Sequence, residues 1–174
     1  MQHIPELDER IDCLKKISIF KEIADNRKAM EEVTKLFTTV SLKKGENAFK
    51  EKEFGDSIFI IKSGTVEVIK KTMQGDSYVV TEFSADMNIF FGEVALLDPA
   101  ERSATVRCKT DCEFFVLKKD KFIKYGDEHP KSGLLITREI SKILCQRLRK
   151  SSADIVTLFD ALVEEVEEAG GIQQ

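Results

Sequence analysis

Two histidines and four cysteines are all that this 174-residue chain carries of the side chains that most often hold metals or act as nucleophiles, and it has no run of 18 apolar residues. Each scarcity excludes something. Cys108 and Cys112 stand four apart, Cys13 and Cys145 are remote in sequence, and none has a histidine at metal-ligand spacing, so zinc is not expected. Cys108 and Cys112 read instead as small buried hydrophobes flanking a turn, in preference to a redox pair in a reducing compartment. His3 lies near the amino end and His129 precedes Pro130, which favours neither as a ligand or a base. Without a long apolar run no membrane span is expected, and the start Met1-Gln-His-Ile-Pro-Glu6 lacks the order of a signal peptide, so the chain reads as cytoplasmic. Excess positive charge is missing too: 27 Lys+Arg face 31 Asp+Glu, a net of -4, which argues against phosphate neutralisation along DNA or RNA as the main task.

What is present suffices for a core. With 42% apolar residues, a chain of this length can bury roughly two thirds of its unfolded surface without disulfides. The first 40 residues read as two or three short helices, because Ile11, Leu14, Ile17, Met30, Val33, Leu36 and Phe37 fall at three- and four-residue steps. From Val40 the texture changes to short apolar runs punctuated by Gly45, Gly55, Gly64, Gly75 and Gly92. Ser57 to Ile61, Thr65 to Ile69, Tyr78 to Phe83, Ser103 to Cys108 and Glu113 to Leu117 are the strands this spacing predicts, closing into a small jelly roll or barrel. After Lys118 the period is helical again.

Between Leu134 and Ala169 there is neither proline nor glycine, and Leu135, Ile136, Ile140, Ile143, Leu144, Leu148, Ile155, Leu158, Phe159, Leu162 and Val166 keep a helical period. Pro130 and Ser132 suit its start and Gly170-Gly171 its stop. About 35 helical residues extend about 52 Å, longer than a domain of this size is wide. The far half therefore needs another partner, and a second copy in a parallel coiled coil is the economical one, against a helix that kinks back onto its own roll. The chain thus divides into an N-terminal helical segment (1-40), a β-roll (41-120) and a hinge with a dimerising helix (121-174).

The chemistry concentrates in Phe91-Gly-Glu-Val-Ala-Leu-Leu-Asp-Pro-Ala-Glu-Arg-Ser-Ala-Thr105, a glycine turn, one helical turn and an arginine that opens a strand. Gly92 permits close backbone approach, and the first amides of the following turn have no intrahelical acceptor. Arg102 can bring a planar charged fork to the same anion, with Ser103 adding a hydroxyl and Ala104 keeping the wall low. Glu93 would repel a phosphate, so its carboxylate makes sense as an acceptor for something beside it, such as a ribose hydroxyl. Together these residues describe a site for a sugar phosphate with one compact negative charge.

This stretch resembles the phosphate-binding cassette of cyclic nucleotide-binding domains throughout. Leu42 to Glu46, Phe54-Gly-Asp56 and Ile60 to Val68 resemble the first strands of the same roll, and Glu101 to Glu113 is similar to the catabolite activator branch of the family. The resemblance runs from about Ile19 to Leu162. It implies a mainly β fold, an antiparallel β-roll (double-stranded β-helix or jelly roll) with N-terminal helices and a long C-terminal helix. It assigns the ribose 2'-hydroxyl to Glu93, the cyclic phosphate to Gly92, Arg102 and Ser103, and walls and backbone donors to Val94, Ala95 and Ala104, with Phe91, which opens the cassette, also counted among the ligand-binding residues. Ser151 and Ser152 occupy the place where the catabolite activator branch reaches the adenine from its long helix, one residue coming from the partner subunit. Arg147 is a lesser candidate near the base.

Two departures stand out. Asn88-Ile89 replaces a Gly-Asp that many relatives have before the cassette, and asparagine can take the left-handed turn that glycine would. Only Ala169 to Gln174 follow the helix, where family transcription factors append a helix-turn-helix. The expectation is a receptor for cAMP in preference to cGMP, homodimeric, without metal or cofactor, without direct contact to nucleic acid or membrane, and not an enzyme. A roll that kept its fold and lost its ligand, serving as a dimeric scaffold, is the alternative.

Overall fold

A computed structural model describes residues 5-98 and 100-170; His3 and Gly171 lie outside them. The amino-terminal periodicity folds into α1 (Pro5–Lys15), a 3-10 turn (Ser18–Ile23) and α2 (Arg27–Thr34). Asn26 caps α2 by accepting from the Ala29 amide at 3.1 Å, satisfying one of the donors every helix start leaves open. Ile11, Leu14, Ile19, Phe20, Met30 and Val33 are buried, which accounts for the apolar spacing on these short segments.

Eight strands follow: β1 (Thr38–Leu42), β2 (Asn47–Phe49), β3 (Ser57–Ser63), β4 (Thr65–Lys71), β5 (Ser77–Ser84), β6 (Phe90–Phe91), β7 (Thr105–Cys108) and β8 (Cys112–Lys118). They form two four-stranded sheets, ordered β1-β8-β3-β6 and β2-β7-β4-β5, with every pairing antiparallel. The core between the inner faces holds Phe59, Ile61, Val66, Phe91, Val106, Phe114 and Val116, with Cys108 and Cys112 among them. Phe59 and Phe91 stack with centroids 5.6 Å apart, and Phe114 meets both edge-on. This is the expected antiparallel roll. Burial pushes the Cys108 thiol up to about 12, with the neighbouring Cys112 adding to the shift, so its thiolate is not a species of neutral solution.

A short helix α3 (Val94–Leu97) interrupts the strands, and α4 (Lys119–Glu128) and α5 (Pro130–Gly170) follow the last one. Pro130 is the first residue of α5, where its missing N–H costs nothing. At 41 residues α5 exceeds the span expected, since Pro130 to Gly133 join it, and it is one unbroken helix. Compact units cover 1–137 and 138–174. His129, at the junction of α4 and α5, places Nδ1 3.3 Å from a Glu32 carboxylate oxygen.

Candidate functional site

The cassette begins where β6 ends. Phe91, expected among the ligand-binding residues, spends its side chain on the ring cluster of the core and anchors the turn from behind. Gly92 then takes φ +80°, a conformation only glycine adopts readily. Just before β6, Asn88 sits at φ 51° and ψ 43°, the left-handed turn expected of it in place of glycine, and its Nδ2 donates to Asp86 O at 3.1 Å. The Glu93–Leu97 turn is tighter than anticipated. Ala95 N and Leu96 N donate to Gly92 O and Glu93 O, so two of the amides expected to stay open are already used.

Arg102 does not open a strand; β7 begins three residues later, at Thr105. Its backbone is zipped to the Lys50–Gly55 loop instead: Arg102 N donates to Glu53 O at 2.8 Å and Lys52 N donates to Arg102 O at 2.9 Å. Held there, the side chain runs inward. Nη1 donates to Gly92 O at 3.2 Å and Nη2 to Ser57 O at 2.8 Å, with the Ser57 hydroxyl at 3.4 Å. The guanidinium carbon lies 4.1 Å from the Phe49 ring centre, a cation–π stack. Two glycines make the passage: a Cβ on Gly55 would meet Nε at 2.4 Å, and one on Gly92 would meet Nη1 at 2.4 Å.

Arg102 is only 7% exposed, yet no carboxylate oxygen lies within 4.0 Å of its guanidinium among the described residues. Its buried Nε has no acceptor either. Burial holds its pKa below the usual arginine value, opposed by the charges of Asp56, Glu93 and Glu53 in that order. A buried cation without a contact ion pair is costly, and an anion is what relieves it. Glu93, 3% exposed, supplies a buried carboxylate near enough to influence that cation.

The structure thus gathers Gly92, Glu93, Ala95, Arg102 and Ala104 at the cassette, with Ala95 and Ala104 buried, Val94 half-exposed and Ser103 at the surface. Ser151 and Ser152 belong to the separate unit of residues 138–174, on an exposed stretch of α5, where the Ser152 hydroxyl donates to Leu148 O at 3.0 Å. Phe49 and Ser57, which hold Arg102, had not been singled out; the signal for Ser57 was its place directly after the Phe54-Gly55-Asp56 turn. Among the described residues there is no group of three or more His, Cys, Asp or Glu fit for a metal, and no helix long and apolar enough to cross a membrane.

Comparison with known proteins agrees with this geometry. The model of the cyclic nucleotide-binding domain matches residues 39–129. A cGMP-dependent protein kinase of Eimeria tenella is 36% identical over 124 residues, covering 68% of this chain and 12% of the kinase. A CRP-like cAMP-activated global transcriptional regulator of Mycobacterium tuberculosis is 25% identical over 149 residues, covering 85% of this chain and 62% of the regulator. The chain therefore spans less than two thirds of either relative. The crystal structure of the Thermus thermophilus catabolite activator protein shares the fold with a TM-score of 0.72 at 21% identity, over 81% of this chain and 62% of that one. A domain match over just over half of the sequence, on an antiparallel roll with a glycine–glutamate turn facing a buried arginine, shows that this chain belongs to the cyclic nucleotide-binding domain family.

Proposed function

We propose that the chain is a cyclic nucleotide receptor module, taking cAMP in preference to cGMP, that acts as a regulator and not as a catalyst. The observation that carries this reading is the buried Arg102 guanidinium with no carboxylate at contact distance among the described residues. A cyclic phosphate carries one compact negative charge. It would draw the terminal nitrogens from the Gly92 and Ser57 carbonyls, or share them, and Ser103 at the surface would close over it. Glu93, already desolvated, gains an acceptor's role from the ribose 2'-hydroxyl. The preference for adenine rests on the resemblance, through Ser103 directly after Arg102 and Ser151-Ser152 on α5. The named ligands of the two relatives support the class and divide on the base.

On this reading ligand binding energy shifts the arrangement of α5 and so alters a partner surface. Pairing of α5 with a second copy belongs to the same proposal. Leu148, Ile155, Phe159, Leu162 and Val166 are 56% to 69% exposed, and at 100° per residue they fall within about 40° of one line.

Titration calorimetry on nucleotide-free protein tests the proposal. cAMP is expected to bind with cGMP weaker, and 2'-deoxy-cAMP weaker by about tenfold or more, the worth of one hydrogen bond to a charged group. Arg102→Leu, with its strand circular dichroism retained, should lose cAMP. No heat with any of these nucleotides at millimolar concentration would overturn the reading in favour of a ligand-free roll serving as a scaffold.

A further inference from the structure

A second recess lies on the outer face of the β2-β7-β4-β5 sheet, away from the ring cluster. Side chains alternate across this sheet: Val66 and Val106 enter the core, while Glu67, Ile69, Thr105 and Arg107 take the opposite face, in register across β4 and β7. There, Ile69 and Val79, paired across β4 and β5, line a cleft of about 820 Å³. That is the size of a small-molecule site, and apolar side chains on an outward face make a floor such a ligand could cover. Its rim is cationic, carrying Lys50, Lys52 and Lys71.

The charges of this rim are unbalanced. Elsewhere on the roll Lys43, Lys62 and Lys109 pair with Asp111, Glu113 and Glu82. Arg107 in the cleft is neutralised by Glu67 at 2.8 Å. The one acid of the lining, Glu51, turns a carboxylate oxygen to the Lys71 backbone amide at 3.3 Å, not to an ammonium. Among the described residues no carboxylate oxygen lies within 4.0 Å of the ammonium groups of Lys50, Lys52 or Lys71. Three uncompensated cations around an apolar floor, on a chain of net charge -4, form a local field that a compact polyanion with a flat apolar end would match.

We propose that this cleft is a second binding site, for an aromatic organic polyphosphate of the nucleoside triphosphate class. The base lies on the half-exposed Val79, which pairs with the largely buried Ile69, and the phosphates meet the three lysines. The site is wired to the cassette. Lys52, itself at φ 68°, and Glu53 exchange backbone hydrogen bonds with Arg102, and the Glu51 amide donates to the Thr105 hydroxyl at 2.9 Å. An occupant that draws in Lys50 and Lys52 therefore moves the loop that positions Arg102. The site stands without the cyclic nucleotide reading; only the linkage between the two sites rests on it.

The test is a titration of the full chain with magnesium-free ATP, followed by amide chemical shifts and calorimetry, with inorganic triphosphate and adenosine as separate arms. Saturable shifts on β4, β5 and the Lys50–Gly55 loop are expected with ATP, weaker binding with triphosphate alone, and further weakening as salt rises. Lys71→Glu should weaken ATP by at least about tenfold while leaving the cAMP heat in place. Should that variant fail to fold, Lys71→Met carries the same comparison. With cAMP saturating, ATP should still bind, at an altered affinity. Absence of saturable binding at millimolar ATP, wild-type affinity in the lysine variants, or loss of ATP binding in Arg102→Leu would each overturn the site. Unchanged cAMP affinity in the presence of bound ATP would overturn the linkage alone, and failure of cAMP to bind would leave the ATP arm readable.

Discussion

Arg102 can be buried because two residues lack a side chain. Gly55 and Gly92 stand on either side of its guanidinium, and each would place a Cβ 2.4 Å from one of its nitrogens. The two positions separate cause from side effect. Gly92 also has a positive φ, so Gly92→Ala strains the backbone as well as the contact, whereas Gly55 has no such φ and Gly55→Ala tests the contact alone. Gly55→Ala is expected to cost about 1–3 kcal/mol in urea denaturation, the usual penalty of overpacking, and to weaken cyclic nucleotide binding by at least about tenfold because the fork is displaced. Wild-type affinity in that variant would show that the ligand does not depend on where the guanidinium sits. The glutamate, the arginine and the glycine turn were legible in the sequence because they lie within one continuous stretch. Phe49 and Ser57 were not: they reach Arg102 from strands 53 and 45 residues away in sequence, and no local pattern marks a serine carbonyl or a phenylalanine face as the bed of a cation.

At the scale of elements, legibility followed length. β3, β4, β5 and β8, seven or eight residues each, showed as apolar runs between glycine turns, while β2 and β6, with three and two residues, are too short to carry a period. The start of β7 was misplaced because Arg102-Ser-Ala joins an apolar run without joining its ladder. α5 was the plainest element, and its unbroken course shows why: no proline or glycine interrupts the apolar steps from Leu134 to Ala169. Its exposed line of Leu148, Ile155, Phe159, Leu162 and Val166 has a cost in water that a second copy would remove. Phe159→Glu with Leu162→Glu should therefore raise the dimer dissociation constant by about a hundredfold or more, since each copy forfeits about 1.5–3 kcal/mol per buried side chain. Sedimentation equilibrium across a concentration series reads this directly. An unchanged association state would remove the coiled-coil pairing from the proposal and leave the exposed line to a different partner.

For the molecule as a whole, overall charge is a poor guide to the ligands proposed for it. A net charge of -4 coexists with a buried guanidinium and an outer cleft of lysines that lack contact ion pairs among the described residues, and recognition depends on fields over a few ångströms and not on the sum. The chain's two compact units make a corresponding division of labour testable. Every described residue from Cys145 to Glu167 is exposed, so their removal takes nothing out of the roll's core. A chain ending at Gln146 should therefore melt within about 2 °C of the ligand-free full chain measured dilute, as expected for surface changes. The same truncation removes Ser151-Ser152 and the apolar line, so cAMP binding should weaken by about tenfold or more and concentration-dependent association should vanish. Thermal melting and calorimetry on the same two proteins separate the outcomes. Matched melting with weakened binding would support a roll that holds the phosphate alone and needs α5 for the base, whereas matched melting with undiminished affinity would confine the whole site to the cassette and strike Ser151 and Ser152 from it.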